Sequence, residues 1–135
     1  METPIPFVKD AESYLYPEGI DLSDSYILDW HHKDESFEIL LELSVWPKSP
    51  HYEKPGKDER TCFKKGWLRF EEIQSIKGYV DLQCVAPSLG PNGEKDWDGL
   101  YELREVGKAL HFFTDFTEIE IECKNFSLRI GESEI

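Results

Sequence analysis

The chain has 135 residues, 15 of them basic and 28 acidic, which gives a formal net charge of −13. This length fits one domain with a single core. The aromatic content of 13% argues against a disordered chain, because aromatic burial can offset the ordering entropy. The charge disfavours nucleic acid and anionic membranes as partners, since both would repel the protein. A basic partner protein is favoured instead.

Cysteine usage and the N-terminal residues predict a cytoplasmic protein. Cys62, Cys84 and Cys123 form neither a CxxC pair nor an even-numbered disulfide framework. Reduced thiols in a reducing compartment are therefore expected. The N-terminal residues lack the basic and apolar regions of a secretory signal peptide. No run approaches the roughly 20 apolar residues that cross a bilayer, so we expect no membrane partner.

The first part of the chain predicts an irregular segment followed by two strands. Residues 1–24 contain three prolines and no regular pattern, which is typical of irregular structure. Residues 25–30, "SYILDW", favour a short strand because they are rich in aromatic and β-branched residues. After a turn at residues 33–36, residues 37–45 alternate apolar and polar side chains, which predicts a second strand.

The middle of the chain predicts two strands between two long loops. Residues 47–60 are rich in proline and form the first loop. Residues 62–73 and 75–86 each alternate, which indicates adjacent antiparallel strands that meet in an unusual turn near residues 72–75. Residues 87–99 are dense in Pro, Gly and Asn and form the second loop.

The end of the chain predicts two further pairs of strands. Near residues 100–113 a short helix and a hairpin with its turn at "VGKA" both fit, and we favour the hairpin because an internal glycine costs a helix about 1 kcal/mol. Residues 117–123 and 126–130 alternate strictly, but on opposite parities. This switch predicts a two-residue turn at Lys124 and Asn125.

These elements predict the fold class. About eight short strands, separated by turn signals, indicate an all-β protein with an antiparallel β-sandwich or a partly open barrel. We expect one all-β domain over residues 1–135.

Two adjacent histidines are the first candidates for a functional site. In a strand, His31 and His32 point to opposite faces, so one site could use only one of them easily. Zinc sites need three or four ligands, usually at a recognisable spacing, and no such spacing occurs here. The metal candidates are Asp29, His31 and His51. With His32, they define the alternative that the protein is a small metal-dependent hydrolase or a metal-binding protein.

No motif in the sequence predicts catalysis. The nucleophile motif GxSxG and the nucleotide-binding motifs GxGxxG and GxxxxGK[ST] are absent from the sequence. We therefore assign no catalytic residue, expect no cofactor and favour a protein that is not an enzyme.

Two groups of residues are candidates for protein binding. Trp46, Trp67 and Trp97 could form a binding patch, since tryptophan dominates binding hot spots; alternatively, they fill the core and close the ends of the fold. The other group, Glu118, Glu120 and Glu122, shares one face of a strand. That face is either solvated or a docking surface for a basic partner.

The C-terminal stretch "DFTEIEIECKNFSLRI" resembles the end of small bacterial all-β proteins of uncharacterised function. Some of these belong to the immunity protein 50 family of polymorphic toxin systems. The resemblance covers roughly the last quarter of the chain and carries no catalytic residue. It implies a non-enzymatic binder of a toxin, and the acidic charge would suit a basic toxin. We therefore expect an acidic cytoplasmic binding protein, either a monomer or a homodimer.

Overall fold

The computed structural model describes residues 19–55, 62–89 and 93–131. The strands are β1 (Ile20–Lys33), β2 (Ser36–Val45), β3 (Cys62–Lys77), β4 (Ser88–Leu89), β5 (Lys95–Asp96), β6 (Glu102–Val106), β7 (Ala109–Phe113) and β8 (Glu118–Ile130). Six of them form one curled antiparallel sheet, a half-barrel with the order β1-β2-β3-β8-β7-β6, while β4 and β5 pair separately. The prediction of an all-β antiparallel fold is confirmed, in the form of an open barrel.

The hairpin of β1 and β2 confirms the strongest strand prediction and extends the weaker one. The alternating residues 37–45 lie in β2, and the turn falls at Asp34 and Glu35. The prediction of irregular structure is wrong for residues 20–24, which belong to β1; residues 1–18 lie outside the described residues. The register moves from Asp21 opposite Ser44 to Tyr26 opposite Glu42. Four residues of β1 thus bulge opposite a single residue of β2. This bulge interrupts the alternation of inward and outward side chains, so the sequence does not show the period of two that is typical of a strand.

Strand β3 is a single central strand, so the prediction of two strands meeting near residues 72–75 is wrong. It pairs with β2 on one side and with β8 on the other. In place of a turn, Glu72 adopts a φ of 54° and a bulge follows between Ile73 and Ser75. The strand ends before Gly78, whose φ is 85°; a Cβ there would lie 2.0 Å from the Glu118 carbonyl oxygen. Residues 79–86 leave the sheet and include a 3-10 turn at Leu82–Cys84.

Strand β8 is also continuous, so the predicted turn at Lys124 and Asn125 is wrong. Its core-facing side chains do change parity, from Ile121 and Cys123 to Phe126 and Leu128. The reason is that β3 makes the same change. Phe70 pairs with Phe126 and Ile73 with Cys123, so at this point both strands place two residues, instead of one, between successive core-facing side chains. We call this the shared parity switch.

The region of residues 87–113 confirms the predicted hairpin and corrects the predicted loop. The favoured hairpin is present as β6 and β7, with Gly107 at a φ of 61° in its turn, and no helix forms at residues 100–113. The loop predicted at residues 87–99 contains β4 and β5, while residues 90–92 lie outside the described residues. In the other predicted loop, residues 47–55 contain no strand, as expected, and residues 56–60 are not described.

The core fills the inner side of the curled sheet. Phe37, Phe70 and Phe112 are fully buried, and their ring centroids lie 5.8–6.1 Å apart in stacked arrangements. Trp30 meets Phe37 edge-on at 5.3 Å, and its Nε1 donates a hydrogen bond to the Val80 carbonyl oxygen at 2.8 Å. The aromatic cluster therefore joins the sheet to the segment that follows β3.

Candidate functional site

The outer face of the sheet carries a row of charged side chains across three strands. His31 pairs with Glu38, and Glu38 pairs with Arg69; we call these three residues the charged row. The Glu38 side chain is only 5% exposed, and its carboxylate lies 3.9 Å from His31 Nε2 and 3.7 Å from Arg69 Nε. An arginine and a histidine thus flank one buried carboxylate.

The two adjacent histidines lie on opposite faces, as predicted. His31 contacts Glu38 on the outer face, and its ring centroid lies 6.3 Å from that of Trp67. His32 instead lies beside the core-side rings of Phe37 and Tyr79, with centroids 6.5 and 5.3 Å away.

The structure brings together only part of the predicted metal set. Asp29 and His31 line one cavity of ≈290 Å³. His51 follows the far end of β2, where Val45 pairs with Ile20. The pairing of His31 with Glu38 lies seven residues along β2 from that end, or roughly 20 Å at the rise of a strand. Within the three described ranges, no three His, Cys, Asp or Glu side chains are grouped in a way that could hold a metal ion.

The cavity beside Asp29 and His31 is lined in part by Tyr79, which is held in place by hydrogen bonds. The Tyr79 hydroxyl donates to Asp81 Oδ1 at 2.9 Å and accepts from the His32 backbone N–H at 3.3 Å. A phenol is already protonated at neutral pH, and burial together with the hydrogen bond to Asp81 raises the pKa of Tyr79 further. These bonds attach the segment after β3 to the end of β1.

A second cavity, of ≈410 Å³, lies where the two-stranded sheet of β4 and β5 meets β1, β2 and β3. We call it the acidic–aromatic cleft. It is lined by Tyr26, Leu28, Glu42, Phe63, Ser88, Leu89, Glu94, Lys95, Asp96 and Asp98. Four of these residues are acidic and one is basic. The Tyr26 and Phe63 ring centroids lie 5.8 Å apart, and each residue is 37% exposed. The cleft therefore combines negative charge with accessible ring surface.

Hydrogen bonds to β1 hold residues 96–98 in place, and we call this segment the wall of the cleft. The Ile27 N–H donates to the Asp98 carbonyl oxygen at 2.7 Å, and the Trp97 N–H donates to the Ile27 carbonyl oxygen at 2.9 Å. Trp97 Nε1 also donates to the Val85 carbonyl oxygen at 2.9 Å. Asp98 has a φ of 60°, a backbone conformation that Asp and Asn tolerate better than most residues. The wall is thus attached to the main sheet by backbone hydrogen bonds and to the segment after β3 by the Trp97 side chain.

Several carboxyl groups lie close together around Asp98. Burial raises the pKa of Asp98, and a hydrogen bond to Asp115 and the charge of that residue raise it further, while the hydrogen bond from Ser88 acts the other way. The Tyr101 hydroxyl donates to Asp115 Oδ2 at 3.0 Å. Asp96 Oδ1 accepts the Asp98 N–H at 3.0 Å. This concentration of negative charge favours either a proton or an external cation.

The predicted tryptophans do not form one patch. Trp46 follows β2, and its ring lies 5.0 Å from Lys48 Nζ. Trp67 lies beside His31 in the centre of the outer face, whereas Trp97 packs against the core. The interpretation that these residues close and support the fold fits Trp97 best.

The three predicted glutamates do share one face of β8. Ile119 and Ile121, which alternate with them, are fully buried. Glu120 Oε2 lies 3.6 Å from His111 Nε2 on β7, and Glu120 also pairs in register with Lys77 on β3. Glu120 therefore has a cationic neighbour on one flanking strand and a histidine on the other.

The acidic–aromatic cleft is the feature that the sequence analysis missed. Tyr26 and Phe63 are far apart in the chain, and they meet only because the β1 bulge and the register of β2 bring them together. The acidic residues in the second predicted loop were the one visible signal. None of the three cysteines forms a disulfide within the described residues, and burial raises the pKa of the half-buried Cys123 thiol to about 11.

No protein-family model, curated protein or solved structure matches this chain. The resemblance of the C-terminal residues to the immunity protein 50 family therefore stays a prediction. In the part of the chain that the structure describes, no helix has the length and apolar character needed to cross a membrane.

Proposed function

We propose that this protein is a non-catalytic binding protein for a basic partner protein, which it recognises through the acidic–aromatic cleft. The observation that carries the proposal is the lining of the cleft, where Glu42, Glu94, Asp96 and Asp98 outnumber Lys95 around exposed rings. Aromatic side chains provide binding energy at interfaces, while complementary charge provides specificity and speed.

The charge of the whole chain supports the same proposal. A net charge of −13 accelerates encounter with a positively charged protein and slows encounter with acidic ones. The particular form that we propose is a toxin-immunity-like role in a bacterial cytoplasm, with a basic toxin as the partner. This form rests on the resemblance of the C-terminal residues together with the charge.

Calorimetry with defined candidates tests the proposal. The purified protein is titrated with each basic protein encoded beside its own gene. We expect at least one to bind, with an affinity that falls as the ionic strength rises, because salt screens exposed charges. If none of these basic proteins binds, the proposal is wrong.

Two triple variants of equal charge locate the binding surface. The cleft variant carries Glu94→Gln, Asp96→Asn and Asp98→Asn, and the control carries Glu118→Gln, Glu120→Gln and Glu122→Gln on β8. Each removes three negative charges, so the long-range field changes equally. We expect the cleft variant to lose about tenfold or more in affinity and the control to lose about threefold or less. Equal losses would mean that the partner binds without using the cleft.

A further inference from the structure

We propose that the acidic–aromatic cleft holds the guanidinium group of an arginine side chain presented by the basic partner. This inference rests on the proposed function and specifies what enters the cleft. Tyr26 comes from β1 and Phe63 from β3, and their rings meet across β2 at an interplanar angle of 52°. Leu89, 69% exposed, extends the apolar surface from β4.

The chemistry of the lining selects a cation that is both planar and weakly hydrated. A guanidinium group stacks on aromatic faces and forms forked hydrogen bonds with carboxylates, whereas an ammonium group is compact and strongly hydrated. The cleft offers ring faces together with the carboxyl groups of Glu94 and Asp96. Only a side chain that uses both kinds of contact takes full advantage of this lining.

Charge distinguishes an arginine-bearing partner from a second copy of the chain. Two copies with a charge of −13 each repel one another during encounter. Lys95 is the cation that the cleft already contains. It competes with an incoming guanidinium group, so its replacement should strengthen binding.

A titration followed by two-dimensional amide NMR tests the assignment without needing the natural partner. The probe is N-acetyl-arginine methylamide, and the controls are the corresponding lysine and citrulline compounds at equal ionic strength. Citrulline has nearly the shape of arginine but no charge. We expect arginine to shift the amide signals of Tyr26, Phe63 and Lys95, lysine to bind more weakly, and citrulline to cause no saturable shift.

Single variants then separate the contribution of the aromatic rings from the contribution of charge. Tyr26→Leu and Phe63→Leu keep an apolar side chain but remove a ring face, and each should weaken arginine binding about two- to fivefold. Lys95→Gln should strengthen it. Trp46→Leu is the matched control, because it removes an aromatic ring outside the cleft and should leave the affinity unchanged.

The inference is overturned if lysine binds as tightly as arginine, if citrulline gives the same shifts, or if the shifts are absent or spread over the whole surface. Self-association that is lost in Tyr26→Leu, measured by sedimentation, would assign the cleft to a second copy and would overturn it as well. These failures differ from failure of the proposed function. A basic neighbour that binds in calorimetry while the arginine probe does not would leave the function intact and reject only the arginine contact.

Discussion

The charged row and the acidic–aromatic cleft lie on the same outer face of the sheet, because Glu38 and Glu42 share one parity of β2. In the charged row, one buried carboxylate lies between His31 and Arg69. In the cleft, four acidic residues are accompanied by one lysine and by exposed rings. The buried carboxylate of the row has an arginine of its own chain beside it, whereas acidic residues outnumber basic ones in the lining of the cleft. The difference indicates which of the two regions can attract an external cation.

Replacement of Glu38 should have the largest effect. In Glu38→Ala the Arg69 guanidinium group and the His31 ring lose a carboxylate that is only 5% exposed. Loss of one partner from a buried ionic contact is strongly destabilising, and the partial exposure of the Arg69 and His31 side chains moderates the cost. We expect the free energy of unfolding to fall by about 2–3 kcal/mol, measured by urea denaturation with tryptophan fluorescence.

Glu120→Ala is the control for that measurement. The Glu120 side chain is 43% exposed and pairs with His111 at 3.6 Å, so its loss should cost less than about 1 kcal/mol. Equal costs for the two variants would mean that the charged row stabilises the protein no more than a surface ion pair does.

Replacement of Asp98 should have a smaller effect, with a sign that depends on pH. The folded-state pKa of Asp98 lies above its ordinary value of 3.8, chiefly because of burial and Asp115. The folded protein therefore binds this proton more tightly than the unfolded chain, so the stabilisation is complete below pH 3.8 and is lost as the pH rises through the raised pKa. Asp98→Asn should make the protein more stable at pH 7, by less than about 1 kcal/mol because water screens a partly exposed carboxyl group.

Unfolding experiments between pH 3 and pH 7 check this sign. The advantage of Asp98→Asn should disappear at the acid end and shrink in 1 M salt, where the Debye length is only about 3 Å. The penalty of Glu38→Ala should largely survive that salt concentration. Glu94→Gln, at an exposed position of the same cleft, serves as the control. If the gain in stability from Asp98→Asn grew as the pH fell, repulsion between the neighbouring carboxyl groups would not be its cause.

Replacement of His31 should have the smallest effect. Its side chain is 44% exposed and lies 3.9 Å from the Glu38 carboxylate, so His31→Gln should cost only a few tenths of a kcal/mol. Thermal denaturation at pH 7 measures this. A loss as large as that of Glu38→Ala would show that His31, rather than Arg69, is the main partner of the buried carboxylate.

The sequence predicted elements that depend on local pattern and missed those that depend on a distant partner. The alternation of β2 and the turn at Gly107 can be recognised within a few residues, and both were predicted correctly. The shared parity switch cannot be recognised in this way, because the sequence of one strand with a switch looks like the sequence of two strands joined by a turn. Its meaning becomes visible only when β3 and β8 are seen side by side, with Phe70 opposite Phe126 and Ile73 opposite Cys123.

The candidate site was harder to predict for the same reason. The opposite orientation of His31 and His32 follows from the geometry of any strand and was predicted. The meeting of Tyr26 and Phe63 depends on a four-residue bulge in β1 and on the register of three strands, and nothing in the local sequence signals it. Acidic residues near 96–98 were visible in the sequence, but their aromatic neighbours were not.

The shared parity switch also constrains how this chain can change its length. A shift of one residue in a strand moves every following side chain to the other face of the sheet. Deletion of Glu72 alone would therefore move the core-facing side chains of one part of β3 to the outer face, where they no longer match β8. Deletion of Lys124 alone would do the same to β8. Deletion of both would remove the switch from the two strands together and keep their core-facing side chains matched. We therefore expect insertions and deletions at these two positions to be tolerated only in pairs, although 52 positions separate them in the chain.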